Sequence, residues 1–138
     1  VGAMSLPIAR KARKVIGLEL NPASVKAANE NAVLNKITNA VFSHGDVQKR
    51  LPEVLKQEPI SALVMDPPRS GLSDAMIETL LKSEIPHLIY VSCNPSTLAK
   101  NLAELKKKYE IVSLTPYDLF TQSPLLEVVC DLKLIKSA

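Results

Sequence analysis

The sequence predicts an α/β fold with a mostly parallel sheet and helices on both faces. Short apolar runs such as Val15 to Leu18, Ala62 to Met65 and Leu88 to Val91 alternate with helix-like stretches. These runs are continuously apolar instead of alternating, the pattern of strands covered on both faces. Several stop at an acidic residue or a cysteine, and a helix-start signal follows at once. Sheets of this kind bind ligands at the carboxyl ends of their strands, so those terminal residues are the first candidates for a site.

Taken in order, Val1-Gly2-Ala3-Met4-Ser5 opens without a start methionine and without a strand ahead of the glycine, so the chain reads as cut. Ser5 to Lys14 is expected to be helical with Pro7 in its first turn. Arg10, Lys11, Arg13 and Lys14 then form its solvated, dipole-complementing end, an RNA-facing patch being the lesser reading. Val15 to Leu20 is a strand containing Glu19, and Asn21-Pro22 opens a helix to about Leu34. Ala40 to Ser43 is a short strand, after which Asp46 can cap a helix to about Lys56. Ser61 to Met65 is an apolar strand that ends at Asp66-Pro67-Pro68-Arg69-Ser70-Gly71, and Ser73 caps a helix to about Ser83. Leu88 to Val91 is the strand before Cys93, and Asn94-Pro95 starts a helix to about Lys108. Ile111 to Tyr117 and Leu126 to Leu134 close the chain around a polar loop from Asp118 to Pro124.

Bulk properties narrow the function classes. A chain of 138 residues, 46% hydrophobic, suffices for one domain with a real core, and no repeat, low-complexity segment or composition shift divides it. Its net charge of +3 permits a nucleic-acid partner without requiring one. With no apolar run of membrane-spanning length and no leader pattern, a soluble cytoplasmic protein off the membrane is expected; a monomer is expected as well. The two cysteines lack C-x-x-C spacing and there are only two histidines, so no zinc site, disulfide framework or iron–sulfur ligand set is suggested and no metal is expected.

Cys93 is the residue the chemistry points to. A strand delivers its thiol to the start of a helix, a position that favours thiolate, the nucleophilic form. Burial of a small apolar side chain accounts for the same position equally well. Glu19, Asp46 and Asp66 stand at other strand ends, where one crevice can collect them with the thiol; for Asp46 alone, a helix cap is the simpler reading. Glu19 lies roughly 20 residues past Gly2, the distance at which an acid commonly holds ribose hydroxyls in nucleotide-type folds. The two prolines after Asp66 stiffen its loop and fix an acceptor above the sheet.

In order and in kind, these segments resemble the RNA 5-methyluridine methyltransferases, S-adenosylmethionine enzymes that modify uridines of transfer or ribosomal RNA. Gly2 and Ala3, with Ser5-Leu6-Pro7, are similar to the end of the family's first cofactor motif, Leu18-Glu19-Leu20-Asn21 to its ribose-binding acid, and Gly45-Asp46 to its adenine-side motif. Asp66-Pro67-Pro68-Arg69-Ser70-Gly71 is similar to the loop beside cofactor and target base. Ser92-Cys93-Asn94-Pro95 with Thr97-Leu98-Ala99 is similar to the nucleophile motif, the most specific piece. Asp118-Leu119-Phe120 followed by Leu125-Leu126-Glu127 resembles the C-terminal motif that supplies the base, departing from it where Thr121, Gln122 and Leu125 replace the usual proline and histidine.

The resemblance implies a Rossmann-like methyltransferase catalytic domain over residues 1–138, truncated at its N-terminus so that its first strand is missing. It implies S-adenosylmethionine as cofactor and a tRNA or rRNA substrate. It further implies that Cys93 adds to uracil C6 and that Glu127 removes the C5 proton, while Gly2, Ala3, Glu19, Asp46 and Asp66 serve the cofactor. The target nucleotide must be flipped out of its stack to react. A base amino-methyltransferase fits less well, because Arg69 stands where its Asn/Asp-Pro-Pro motif has an aromatic residue. A degenerate cofactor-binding or RNA-docking module without catalysis is the alternative from another class, and intact Cys93 and Glu127 argue against it.

Overall fold

The structure, a computed structural model, describes residues 1–119, 122–123 and 126–135. It divides into two compact units, Val1–Gln57 and Glu58–Ala138. Among the described residues no helix is long and apolar enough to cross a membrane.

The first unit runs α1 (Ser5–Ala9), β1 (Val15–Glu19), α2 (Pro22–Leu34), β2 (Ala40–His44) and α3 (Val47–Gln57). β1 and β2 pair in parallel from Val15 opposite Ala40 to Glu19 opposite His44, so both strands end on the same side. Gly17 stands opposite Phe42, and a Cβ there would overlap Phe42 Cδ1. The ring therefore occupies the space of the missing side chain. α2 begins where the sequence predicts: the Asn21 side chain accepts from the Ala23 and Ser24 amides at 2.9 and 3.3 Å, and Pro22 fills the first helical position, where no amide is needed.

The helix predicted over Ser5 to Lys14 stops at Ala9, and the basic residues beyond it lie in a turn. Asn39 is the reason: its Nδ2 donates to the carbonyls of Ala9 and Ala12, both at 2.8 Å, and so takes up acceptors left free where the helix ends.

The second unit runs β3 (Ala62–Met65), α4 (Asp74–Lys82), β4 (His87–Ser92), α5 (Pro95–Leu105), β5 (Tyr109–Tyr117) and β6 (Glu127–Leu134). Its sheet has the order β3-β4-β6-β5. β3 and β4 are parallel, and β6 runs against both β4 and β5, so among the described strands of this sheet it is the reversed one. Alternation along the central strands buries Leu88, Tyr90 and Ser92 of β4 with Val128, Cys130 and Leu132 of β6, while Ile89, Val91 and Val129 are only half-buried. α4 and α5 cover the buried face with Met76, Ile77, Leu80, Leu98, Leu102 and Leu105. Ser73 caps α4 through Met76 N–H at 3.2 Å, and α5 ends at Leu105, one turn short of the Lys108 expected.

Candidate active site

In the first unit, the parallel pairing brings Glu19 and Asp46 to one end of the sheet. The Gly45 amide donates to the Glu19 carbonyl at 3.0 Å, which ties the end of β1 to the turn after β2. Glu19 Oε1 accepts from the Asn21 amide at 2.9 Å, which holds the carboxylate at the strand end. Asp46 is exposed and acts as the cap the simpler reading expects, Oδ1 accepting from the Gln48 amide at 2.9 Å. Gly2 has a φ of +79°, and a Cβ there would press on Leu6 Cγ and Phe42 Cζ at 3.2 Å. Both the backbone turn and the tight approach to β2 therefore require glycine. Ala3 is exposed in the turn that follows.

In the second unit, Asp66, Cys93 and Glu127 occupy adjacent strand ends. Met65 stands opposite Tyr90, so Asp66 is one step beyond the parallel β3–β4 pairing. Ser92 stands opposite Val128, and continuing that antiparallel register by one residue sets Cys93 beside Glu127. β4 lies between β3 and β6, so the thiol is flanked by a carboxylate-bearing strand end on each side. Cys93 and Glu127 are half-buried and Asp66 is exposed, as accessible groups at a sheet end should be. The C-terminal motif is described only in part: Asp118, Leu119 and Gln122 are described, whereas Phe120, Thr121 and Leu125 lie outside the described residues.

Cys93 is held in place by its neighbours on both sides. Buried Ser92 accepts the Asn94 amide at 3.2 Å and donates to the Asn94 carbonyl at 3.1 Å, spanning Cys93 with a small closed turn. Asn94 Oδ1 accepts the Ser96 amide at 3.1 Å and starts α5. Further along the helix, Asn101 bonds to the loop after β3, and Tyr90 donates to Asn101 Oδ1 at 2.8 Å. Burial raises the pKa of the Tyr90 hydroxyl; the Leu72 peptide partly offsets this, and Cys93 adds a smaller upward push. From sequence, Ser92 is named only as part of the motif around Cys93, and nothing is assigned to Tyr90 and Asn101. The available signal was the polar series Asn94, Thr97, Asn101 on a helix whose Leu98, Leu102 and Leu105 face the core.

A thiol with a carboxylate beside it can carry nucleophilic addition followed by proton removal. Held acceptors at adjacent parallel strand ends suit a nucleoside's hydroxyls and base edge. The architecture recurs in solved structures. N-methyltransferase NodS from Bradyrhizobium japonicum, solved with S-adenosylhomocysteine, superposes with a TM-score of 0.73 over 98% of this chain and 74% of its own, at 13% identity, a likeness of fold alone. Pyrococcus abyssi tRNA (uracil-54, C5)-methyltransferase, also solved with S-adenosylhomocysteine, matches 95% of this chain and 31% of its own with a TM-score of 0.80 at 26% identity.

The fold is thus that of the Rossmann-like, S-adenosylmethionine-dependent methyltransferases. A profile of the tRNA (uracil-5-)-methyltransferase family matches residues 1–136, and the chain belongs to that family. It is 44% identical to an uncharacterized RNA methyltransferase of Lactobacillus johnsonii over 99% of its length and 30% of the relative's. It is 40% identical to one of Prochlorococcus marinus over 99% of its length and 33% of that relative's. The chain therefore spans about a third of the curated relatives it matches.

Proposed function

We propose that residues 1–138 form a catalytic domain that methylates uridine at C5 in tRNA or rRNA, using S-adenosylmethionine and a transient bond from Cys93 to C6 of the base. The observation that carries this reading is the position of Cys93 between the strand ends of Asp66 and Glu127.

Glu19, held by the Asn21 amide, would bind the ribose of the cofactor, Asp46 its adenine side, and the turn at Gly2 and Ala3 would approach it by backbone. When bound, S-adenosylmethionine supplies an electrophilic methyl group. Uracil C5 is too weak a nucleophile to take it unaided, so the Cys93 thiolate first adds to C6, and the C5–C6 π electrons move onto the C4 oxygen as an enolate, which makes C5 nucleophilic. Once C5 is methylated, Glu127 takes the C5 proton; the electrons of that C–H bond restore C5–C6 unsaturation and expel the Cys93 thiolate. Asp66, on its proline-stiffened loop, orients the base and the methyl donor. The Ser92 turn keeps the thiol from swinging out of line, so that little motion separates addition from elimination.

The test is release of tritium from RNA labelled at uridine C5, measured with the full-length protein. Release should require S-adenosylmethionine and match the 5-methyluridine formed, and Cys93→Ser should abolish it while leaving cofactor affinity within about 2-fold. Methylation at another atom, or turnover in the Cys93→Ser protein, would refute the reading.

A further inference from the structure

The loop that follows Asp66 is tied to the helix that follows Cys93 by side chains of one helix face. Asn94 Nδ2 and Thr97 Oγ1 both donate to the Arg69 carbonyl at 3.1 Å. Asn101 accepts the Leu72 amide on Oδ1 at 2.9 Å and donates from Nδ2 to the Leu72 carbonyl at 3.2 Å. The spacing of residues 94, 97 and 101 puts all of them on one side of α5. Asn101 thus treats Leu72 as a neighbouring strand would, pairing with both of its backbone groups through the separate donor and acceptor of its carboxamide. Gly71 makes the approach possible: its φ is +78°, and a Cβ there would lie 2.6 Å from Asn101 Oδ1. Tyr90, beneath the helix on β4, donates the third hydrogen bond to the same side chain at 2.8 Å.

We infer that Asn101 is a positioning residue for the reaction: through Leu72 it latches the Asp66–Gly71 loop to the Cys93 helix, so that the carboxylate and the thiol keep one separation while the base is attacked. The inference rests on the uridine-methylation reading above. The loop leaves β3 at Asp66, is stiffened by Pro67 and Pro68, and is caught again at Arg69 and Leu72. With both ends fixed, little freedom remains at Asp66. Releasing the far end restores it, and a misplacement near 1 Å at a reacting centre costs about 100-fold in rate.

The experiment uses the full-length protein with S-adenosylmethionine bound and RNA carrying 5-fluorouridine, which cannot complete elimination. It reads the rate of covalent adduct formation, the RNA KM and the hydrogen exchange of the Leu72 amide. Asn101→Ala should slow adduct formation by about 10- to 100-fold at saturating RNA, hold KM within about 3-fold, and speed exchange at Leu72. Asn101→Asp keeps the acceptor and loses the donor, and should fall between the two. Leu102→Ala, which truncates the buried side chain next along α5 and leaves the Leu72 hydrogen bonds intact, should lower the melting temperature yet keep the adduct rate where the protein is folded. Faster Leu72 exchange with an unchanged adduct rate in Asn101→Ala would overturn the inference. So would equal slowing in Leu102→Ala and Asn101→Ala. A wild-type protein that forms no adduct would instead overturn the functional reading, and this inference with it.

Discussion

Cys130 gives the protein an alkaline limit to its stability. The thiol is fully buried on β6, between Tyr90 of β4 and Leu114 of β5. Burial, and secondarily the charge of Asp131, raise its pKa from 9.0 to about 11. Between those values the folded state keeps a proton that the unfolded state gives up. The contribution is therefore whole below pH 9, declines as pH rises through the interval, and is gone above about 11. At ~1.36 kcal/mol for each pH unit, the loss across the interval approaches about 2 to 3 kcal/mol, a large share of a typical stability of roughly 5 to 15. Tyr90 and Tyr109, whose pKa values burial also raises, deepen the decline at its upper end. Urea unfolding at pH 8, 9, 10 and 11 under reducing conditions measures it. Cys130→Ala should start lower at pH 8, because a buried side chain is truncated, and then lose about 2 to 3 kcal/mol less than wild type by pH 11. Parallel stability curves for the two proteins would refute the reasoning.

Glu127→Gln should still form the bond to C6 and accept one methyl group but eliminate slowly, so a protein–RNA adduct should accumulate on denaturing gels; normal adduct lifetime with normal turnover would remove Glu127 from the mechanism. Glu19→Ala should weaken S-adenosylmethionine binding by about 10-fold or more in titration calorimetry, the effect of losing charged hydrogen bonds worth roughly 1.5 to 3 kcal/mol, and unchanged affinity would place the ribose elsewhere. Gly17→Ala should cost about 1 to 3 kcal/mol in urea unfolding because its Cβ meets the Phe42 ring, and adding Phe42→Leu should recover part of that; additive losses would show that the contact is not the cause.

The features legible in the sequence are those decided locally. Asn21-Pro22, Asn94-Pro95 and Ser73 each cap a helix within a few residues, and the observed helices start there. The strand ends at Glu19, Asp66 and Cys93 were legible for the same reason, an apolar run meeting a polar stop. What escaped depends on distant residues. α1 ends early because Asn39, 30 positions beyond Ala9, takes its carbonyl. The insertion of β6 between β4 and β5 is a long-range antiparallel pairing with no local trace, so the nearness of Glu127 to Cys93 followed from the family resemblance and not from periodicity. Asn101 looked like one more polar residue on a helix. Its partners, Leu72 and Gly71, lie 29 and 30 positions earlier in the chain, where no local pattern links them to it.

The central claim is that Cys93 bonds to the base. Full-length protein incubated with S-adenosylmethionine and 5-fluorouridine RNA, then digested with protease and nuclease, should yield one modified peptide in mass spectrometry, carrying methylated fluorouridine on Cys93. Cys93→Ser should yield none. A modified peptide containing Cys130 instead, or an adduct that persists in the Cys93→Ser protein, would contradict the account.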